Sequence, residues 1–354
     1  MTNRSLTRPS QPARLHVMRY HTLGSTGVLV SELCLGTMTF GSGWGFGGID
    51  AQKAPEIVSK AIDSGINFFD TADMYSEGDS EILLGQALRG KRDSVVLASK
   101  ALGRLGPGAN DAGLSRFHLV RACEASLKRL ATDRIDLYQI HGFDALTPLD
   151  ETLRALDHLV DSGKVLSIGF CNLAAWQAAK ALGISEARGF PKFVSAQMYY
   201  SLVGRDIEHE VVPLCLSENL AILPWSPLAG GLLTGKYRKE QESPPEGSRF
   251  STSKFGAFPP VDRDLGFTAV ELLVELAAKY GTTPTTLAIK WLLSRPGVTS
   301  VIVGIRRIEQ FSANLEATTL QIPSEALDEL TRLTEPPVLY PNWMIERQAA
   351  NRKF

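Results

Sequence analysis

INFFDTADMYSEGDSEILLGQALRGKRDSVVLASK, residues 66–100, holds two short apolar runs, INFFDTA (66–72) and SVVLASK (94–100), separated by a stretch with helical spacing (79–89). Neither run alternates apolar with polar residues. A continuously apolar strand is what a parallel sheet covered on both faces requires. The same unit recurs along the chain. Further strands are expected at ELCLGTM (32–38), IDLYQI (135–140), VLSIGFC (165–171), FVSAQM (193–198), LAILPWS (220–226) and SVIVGI (300–305). Helical spacing falls between them near 53–64, 115–130, 150–161, 174–187, 206–218, 284–294 and 307–317. Thr283-Pro284 places a capping hydroxyl before a first-turn proline, and Ser64-Gly65 and Ser162-Gly163 end helices just before strands.

Eight strands alternating with eight helices predict an α/β fold, a single (β/α)8 TIM barrel with an N-terminal hairpin cap. An open doubly wound sheet would need a GxGxxG turn after its first strand, but GSGWGFGG (41–48) has Phe46 where the third glycine belongs. Two additions to the barrel are expected: a long polar loop after strand 7 (236–266), followed by an extra helix (267–280), and extra C-terminal helices, one of them at 324–333. The expected organisation is a disordered tail at 1–17, the barrel over 18–335 and a C-terminal tail, 336–354, over or beside it.

Composition narrows the function. The 354 residues are 44% apolar and 21% charged, with a net charge of −1, which gives no bulk electrostatic case for a nucleic-acid or membrane partner. Residues 1–17 lack the apolar core of a secretory signal, so a cytoplasmic location is expected. Cys34, Cys123, Cys171 and Cys215 form no CxxC pair, and no HExxH spacing exists, so neither a disulfide framework nor a zinc site is expected.

Reactive groups of β/α barrels sit where strands end. Asp70 ends strand 2 with Tyr75 in the next loop, Lys100 ends strand 3 and His141 follows strand 4. Taken singly, Asp70 could cap a helix, Lys100 could be a surface residue, His141 a structural histidine and Tyr75 a loop aromatic. Together they make chemical sense. An ammonium beside a phenol stabilises the phenolate and draws its pKa from about 10 toward the working range. A carboxylate holds the ammonium, the phenol acts as general acid toward a carbonyl oxygen, and imidazole orients that oxygen.

NFFDTADMYSEGDSEILLGQAL (67–88), VVLASK (95–100), DLYQIHGFD (136–144), GKVLSIGFCN (163–172), AQMYYSLVGRDIE (196–208), LPWSPLAGGLLTGKY (223–237) and SVIVGIRRIEQFSANLEA (300–317) together resemble the aldo-keto reductases. The likeness runs from about 19 to 333. It is strongest toward the branch with potassium-channel β-subunits and bacterial broad-range reductases. It implies a catalytic tetrad of Asp70, Tyr75, Lys100 and His141 and a nicotinamide cofactor, NADPH with NADH possible. By the same resemblance, Thr37 and Met38 border the nicotinamide pocket, and Cys171, Asn172 and Gln197 contact the carboxamide. Trp225 stacks on the ring, where other members have Tyr. Ser226, Leu228, Gly230, Leu232 and Lys236 line the pyrophosphate, Arg249 belts over it, and Gly304, Arg306, Gln310 and Asn314 hold the adenosine end. Arg306 favours NADP. Val303, Ala313 and Cys171 depart from the residues common in the family. Trp44, Met74, Tyr200 and the aromatics Tyr340 and Trp343 are candidate pocket walls for a small carbonyl substrate. Two rival readings are a class I aldolase-type barrel, with Lys100 forming a Schiff base, and a redox-sensing subunit that binds nicotinamide to regulate a partner.

Overall fold

The computed structural model describes residues 18–42, 48–237, 239 and 258–351. Among them, eight parallel strands follow one another around a barrel: β3 (Leu33–Gly36), β4 (Phe68–Asp70), β5 (Val96–Ala101), β6 (Ile135–Ile140), β7 (Val165–Cys171), β8 (Phe193–Tyr199), β9 (Ala221–Trp225) and β10 (Val301–Gly304), with β10 hydrogen-bonded beside β3. The ring is brought together between β9 and the run leading into β10. There the Ile222 N–H donates to the Gly297 carbonyl, and the Thr299 N–H donates to the Ile222 carbonyl. Helices cover the outside: α1 (Lys53–Asp63), α2 (Asp79–Ala87), α3 (Arg116–Leu130), α4 (Leu149–Asp161), α5 (Ala175–Arg188), α6 (Val211–Ser217), α8 (Pro284–Leu293) and α9 (Gln310–Thr319). This is the expected (β/α)8 architecture. The main apolar core lies between strands and helices, and a smaller cluster that includes Cys34, Phe68, Ala98, Leu137 and Leu223 fills the barrel interior.

The expected hairpin cap is present as β1 (Tyr20–Thr22) and β2 (Leu29–Ser31), paired antiparallel. Its Leu23 and Val30 pack into the interior cluster and seal the end where the strands begin. Gly24 has φ +56 and lies against the Val194 carbonyl, leaving no room for a side chain.

Where elements differ from expectation, the cause is local. The helix expected over 206–218 divides into a short turn, Asp206–Glu208, and α6, because Pro213 has no N–H to give the His209 carbonyl. Asn342 Nδ2 donates to that carbonyl instead, at 3.3 Å. The extra helix, α7 (Arg263–Tyr280), starts earlier than 267, since Asp262 caps the N–H groups of Asp264 and Leu265. Thr283 caps α8 as expected. The expected extra C-terminal helices are α10 (Ser324–Leu333) and α11 (Asn342–Ala350), the second lying within the segment read as a tail. No helix among the described residues is long and apolar enough to cross a membrane.

Candidate active site

Four of the predicted residues meet where the strands end. Lys100, at 0% exposure, spends its ammonium on three acceptors: Asp70 Oδ1 at 2.6 Å, the Thr71 carbonyl at 2.7 Å and the Tyr75 hydroxyl at 3.1 Å. Asp70 Oδ2 accepts from Gln197 Nε2 at 2.8 Å and from Gln139 Nε2 at 3.3 Å. A buried ion pair is tolerated only when its remaining lone pairs and protons are engaged like this. Tyr75 stands edge-on to His141, with ring centroids 5.8 Å apart. Backbone bonds fix the loop between them: the N–H groups of Thr71 and Asp73 donate to the carbonyls of Ala98 and Lys100 on β5.

The electrostatics differ in one respect from the simple expectation. Burial pushes the Tyr75 hydroxyl up to about 12, and Lys100 offsets this only in part. Tyr75 therefore holds its proton throughout the neutral range. Asp70 and Tyr75 together raise Lys100 well above an ordinary lysine, against the effect of burial. Burial, reinforced by the charge of Lys100, lowers His141 to about 3, so the ring is neutral. Its Nδ1 is buried without a hydrogen-bond partner among the described residues.

These groups open onto a cavity of about 940 Å³. Met38, Met74, Asn172, Gln197 and Trp225 line it together with Ser226, Leu228, Gly230, Lys236, Gly304, Arg306, Gln310 and Asn314. Asn172 ties three strand ends together. Its Nδ2 donates to the His141 carbonyl at 3.1 Å, and its Oδ1 accepts from Trp225 Nε1 at 3.0 Å. Asn172 and Ser226 adopt left-handed backbone conformations (φ 54 and 53), a strained geometry typical of functional strand ends. Gln310 Oε1 accepts from the N–H groups of Arg306 and Arg307, which ties the turn after β10 to the start of α9.

Other predicted residues lie elsewhere. Thr37 is buried behind the site, with its hydroxyl on the Asp70 carbonyl and Ser80. Cys171 is buried beneath the cavity, and Leu232 packs against Gly266 of α7. Tyr200 is not a pocket wall. Its hydroxyl donates to Glu208 at 2.6 Å and its ring meets Trp291 edge-on. Side chains alternate along a strand, so Tyr199 shares the inward side with Gln197, and Tyr199 is the residue that packs on Trp225, at 5.2 Å. Tyr340 and Trp343 contact one another at the exposed C-terminal segment and do not line the cavity. Trp44 and Arg249 fall outside the described residues. No group of acidic, histidine or cysteine side chains among the described residues could hold a metal ion.

Two residues went unrecognised in the sequence. Gln139 faces Lys100 across the β5–β6 register, and a polar residue at an inward strand position was the available signal. Asp73 is fully buried, and neither carboxyl oxygen has a partner among the described residues. Glu81 stands nearby, holding Arg129 Nε at 2.6 Å and Ser99 Oγ at 2.5 Å. Burial and Glu81 raise the Asp73 carboxyl from its ordinary 3.8 to about 7. Between those values the folded chain keeps a proton that the unfolded chain has released. Stability then falls with rising pH through this window, by up to about 1.4 kcal/mol per pH unit. Asp73→Asn removes that loss, so its stability relative to the parent is expected to climb from pH 5 to pH 8. Denaturant unfolding at several pH values checks this, and parallel curves for the two proteins would refute it.

The family model described as the aldo/keto reductase family matches residues 32–335. The chain is 38% identical to an oxidoreductase of Bacillus subtilis named YrpG, covering 90% of this chain and 97% of that protein. It is 37% identical to a probable voltage-gated potassium channel subunit beta of Arabidopsis thaliana, over 85% and 91% of the two chains. It is 33% identical to the norsolorinic acid reductase stcV of Emericella nidulans, over 92% and 84%. With strand ends, cavity and likeness in agreement over nearly its whole length, the chain belongs to the aldo/keto reductase family.

Proposed function

We propose that the protein reduces aldehydes and ketones with NADPH, Tyr75 delivering the proton. The observation that carries this is the junction of Lys100 with Asp70 and Tyr75 beside a cavity of about 940 Å³. The residues present fit such a group. Trp225 lines the cavity with Phe258 stacked on it at 5.7 Å, an aromatic wall that a nicotinamide ring would join by displacing Phe258, and Lys236, Arg306 and Arg307 line the same cavity. Half-burial, reinforced by the two arginines, lowers the Lys236 ammonium, a crowding of like charge that an anion relieves. When bound, NADPH supplies hydride to the carbonyl carbon. Tyr75 gives its proton to the carbonyl oxygen, and Lys100, held by Asp70, stabilises the phenolate that results. The neutral His141 ring orients the carbonyl oxygen without competing as an acid.

The arrangement disfavours an imine-forming lysine. That role needs a free amine, whereas Lys100 is kept charged by Asp70 with all three donors engaged. The likeness to a potassium channel subunit beta supports a second reading, a nicotinamide-binding regulatory subunit. Nucleotide oxidation with a panel of carbonyl compounds separates the two. Turnover with NADPH is expected, preferred over NADH by about 10-fold or more, since charge-assisted bonds to the extra ribose phosphate are worth ~1.5–3 kcal/mol. Arg306→Ala should narrow that preference. Tight binding of NADPH with no turnover of any compound would favour the regulatory reading.

A further inference from the structure

Asp73 shares a short segment with two residues of the site, three places after Asp70 and two before Tyr75. The segment is pinned to its neighbours by backbone bonds. The Asp73 N–H donates to the Lys100 carbonyl at 3.1 Å, and the Tyr75 N–H donates back to the Ala72 carbonyl at 3.2 Å. A shift at Asp73 is therefore passed on to Tyr75.

The Asp73 side chain does not line the cavity. It is fully buried, and neither carboxyl oxygen has a hydrogen-bond partner among the described residues. The charged and titratable groups facing it are Glu81 of α2, Arg129 of α3, Lys100 of β5 and Tyr138 of β6, with Cys123 of α3 close to Tyr138. Most donors in this space are engaged elsewhere. Arg129 gives Nε to Glu81 and Nη2 to Ser126, and Ser99 gives its hydroxyl to Glu81. Lys100 spends its ammonium on Asp70, Thr71 and Tyr75. The Tyr138 hydroxyl is buried without a partner among the described residues. A carboxyl placed here is tolerated while it is neutral. Ionised, it becomes a second buried carboxylate beside Glu81 and has to move to find a donor.

We infer that Asp73 is a positioning residue for Tyr75: its neutral carboxyl keeps the 70–75 segment in working geometry, and loss of its proton displaces the segment and slows proton delivery. This inference rests on the carbonyl-reductase reading. Burial first, then Glu81, raises the Asp73 carboxyl to about 7, so the working form is present below that pH and is lost above it. The other shifted groups titrate outside this window. Tyr75 and Cys123 stand at about 12, His141 at about 3, and burial pushes Tyr138 well above its ordinary value. With the ionised form inactive, kcat falls about 10-fold from pH 6 to pH 8.

The test measures kcat at saturating NADPH from about pH 5 to 9, with the carbonyl compound of the panel that the parent turns over fastest. The parent, Asp73→Asn and Glu81→Gln are compared, and circular dichroism at each pH follows the folded fraction. The parent should show the fall, with the KM for the carbonyl compound nearly constant. Asp73→Asn keeps the shape of the carboxyl without its ionisation and should level the profile. Glu81→Gln should move the falling limb to lower pH by roughly half a unit or more, because it removes the like charge that keeps the proton on Asp73. Parallel falling limbs in the parent and Asp73→Asn, or a parental kcat that is level across the range, overturn the role of Asp73 and leave the reductase reading in place. If Asp73→Asn does not fold, the Glu81→Gln profile decides, and a limb at the parental pH overturns the role. A parent that turns over no carbonyl compound at any pH overturns both.

Discussion

Tyr75→Phe is expected to lower kcat on the order of 10³-fold, within the range for removing a positioned general acid, while NADPH binds as tightly as to the parent. The substitution deletes one oxygen and leaves the ring, its edge contact to His141 and the backbone of the loop untouched. Lys100 keeps Asp70 and the Thr71 carbonyl, so the junction loses its longest bond, 3.1 Å, and retains the two shorter ones. Folding should change little. Steady-state turnover together with a cofactor titration measures both quantities. Turnover near the parental value would remove Tyr75 as the proton donor.

Lys100→Met is expected to do more, because it attacks fold and chemistry together. It abolishes the ammonium beside Tyr75 and leaves the Asp70 carboxylate buried, supported among the described side chains by Gln139 and Gln197 alone. Breaking a buried pair on one side costs about 3–5 kcal/mol, whereas replacing both partners with uncharged groups costs far less. The single variant should therefore be inactive and lose several degrees in Tm, and Asp70→Asn combined with Lys100→Met should recover part of the stability without recovering turnover. Thermal unfolding of the two variants beside the parent decides it. A double variant no more stable than Lys100→Met would mean that Asp70 is not penalised for standing alone.

The barrel was legible because its strands are continuously apolar and several end on a polar residue that has no reason to lie there otherwise. Asp70, Lys100 and His141 announced themselves that way. Tyr200 misled because a one-residue step along a strand reverses the side chain, and nothing in AQMYYS distinguishes which tyrosine faces inward. Asp73 was invisible for a different reason. Its burial depends on α2 and α3 closing over the loop, a tertiary fact with no local signature. The splitting of the helix before α6 could have been read from Pro213 alone.

The hairpin that plugs the strand-start end has a practical corollary. Met18 packs beside Gly65, and Tyr20 donates to the Gly65 carbonyl at 2.7 Å, so the described chain begins at the end opposite the cavity. An affinity tag or a fluorescent reporter put in place of residues 1–17 starts from that blind end, away from the cavity.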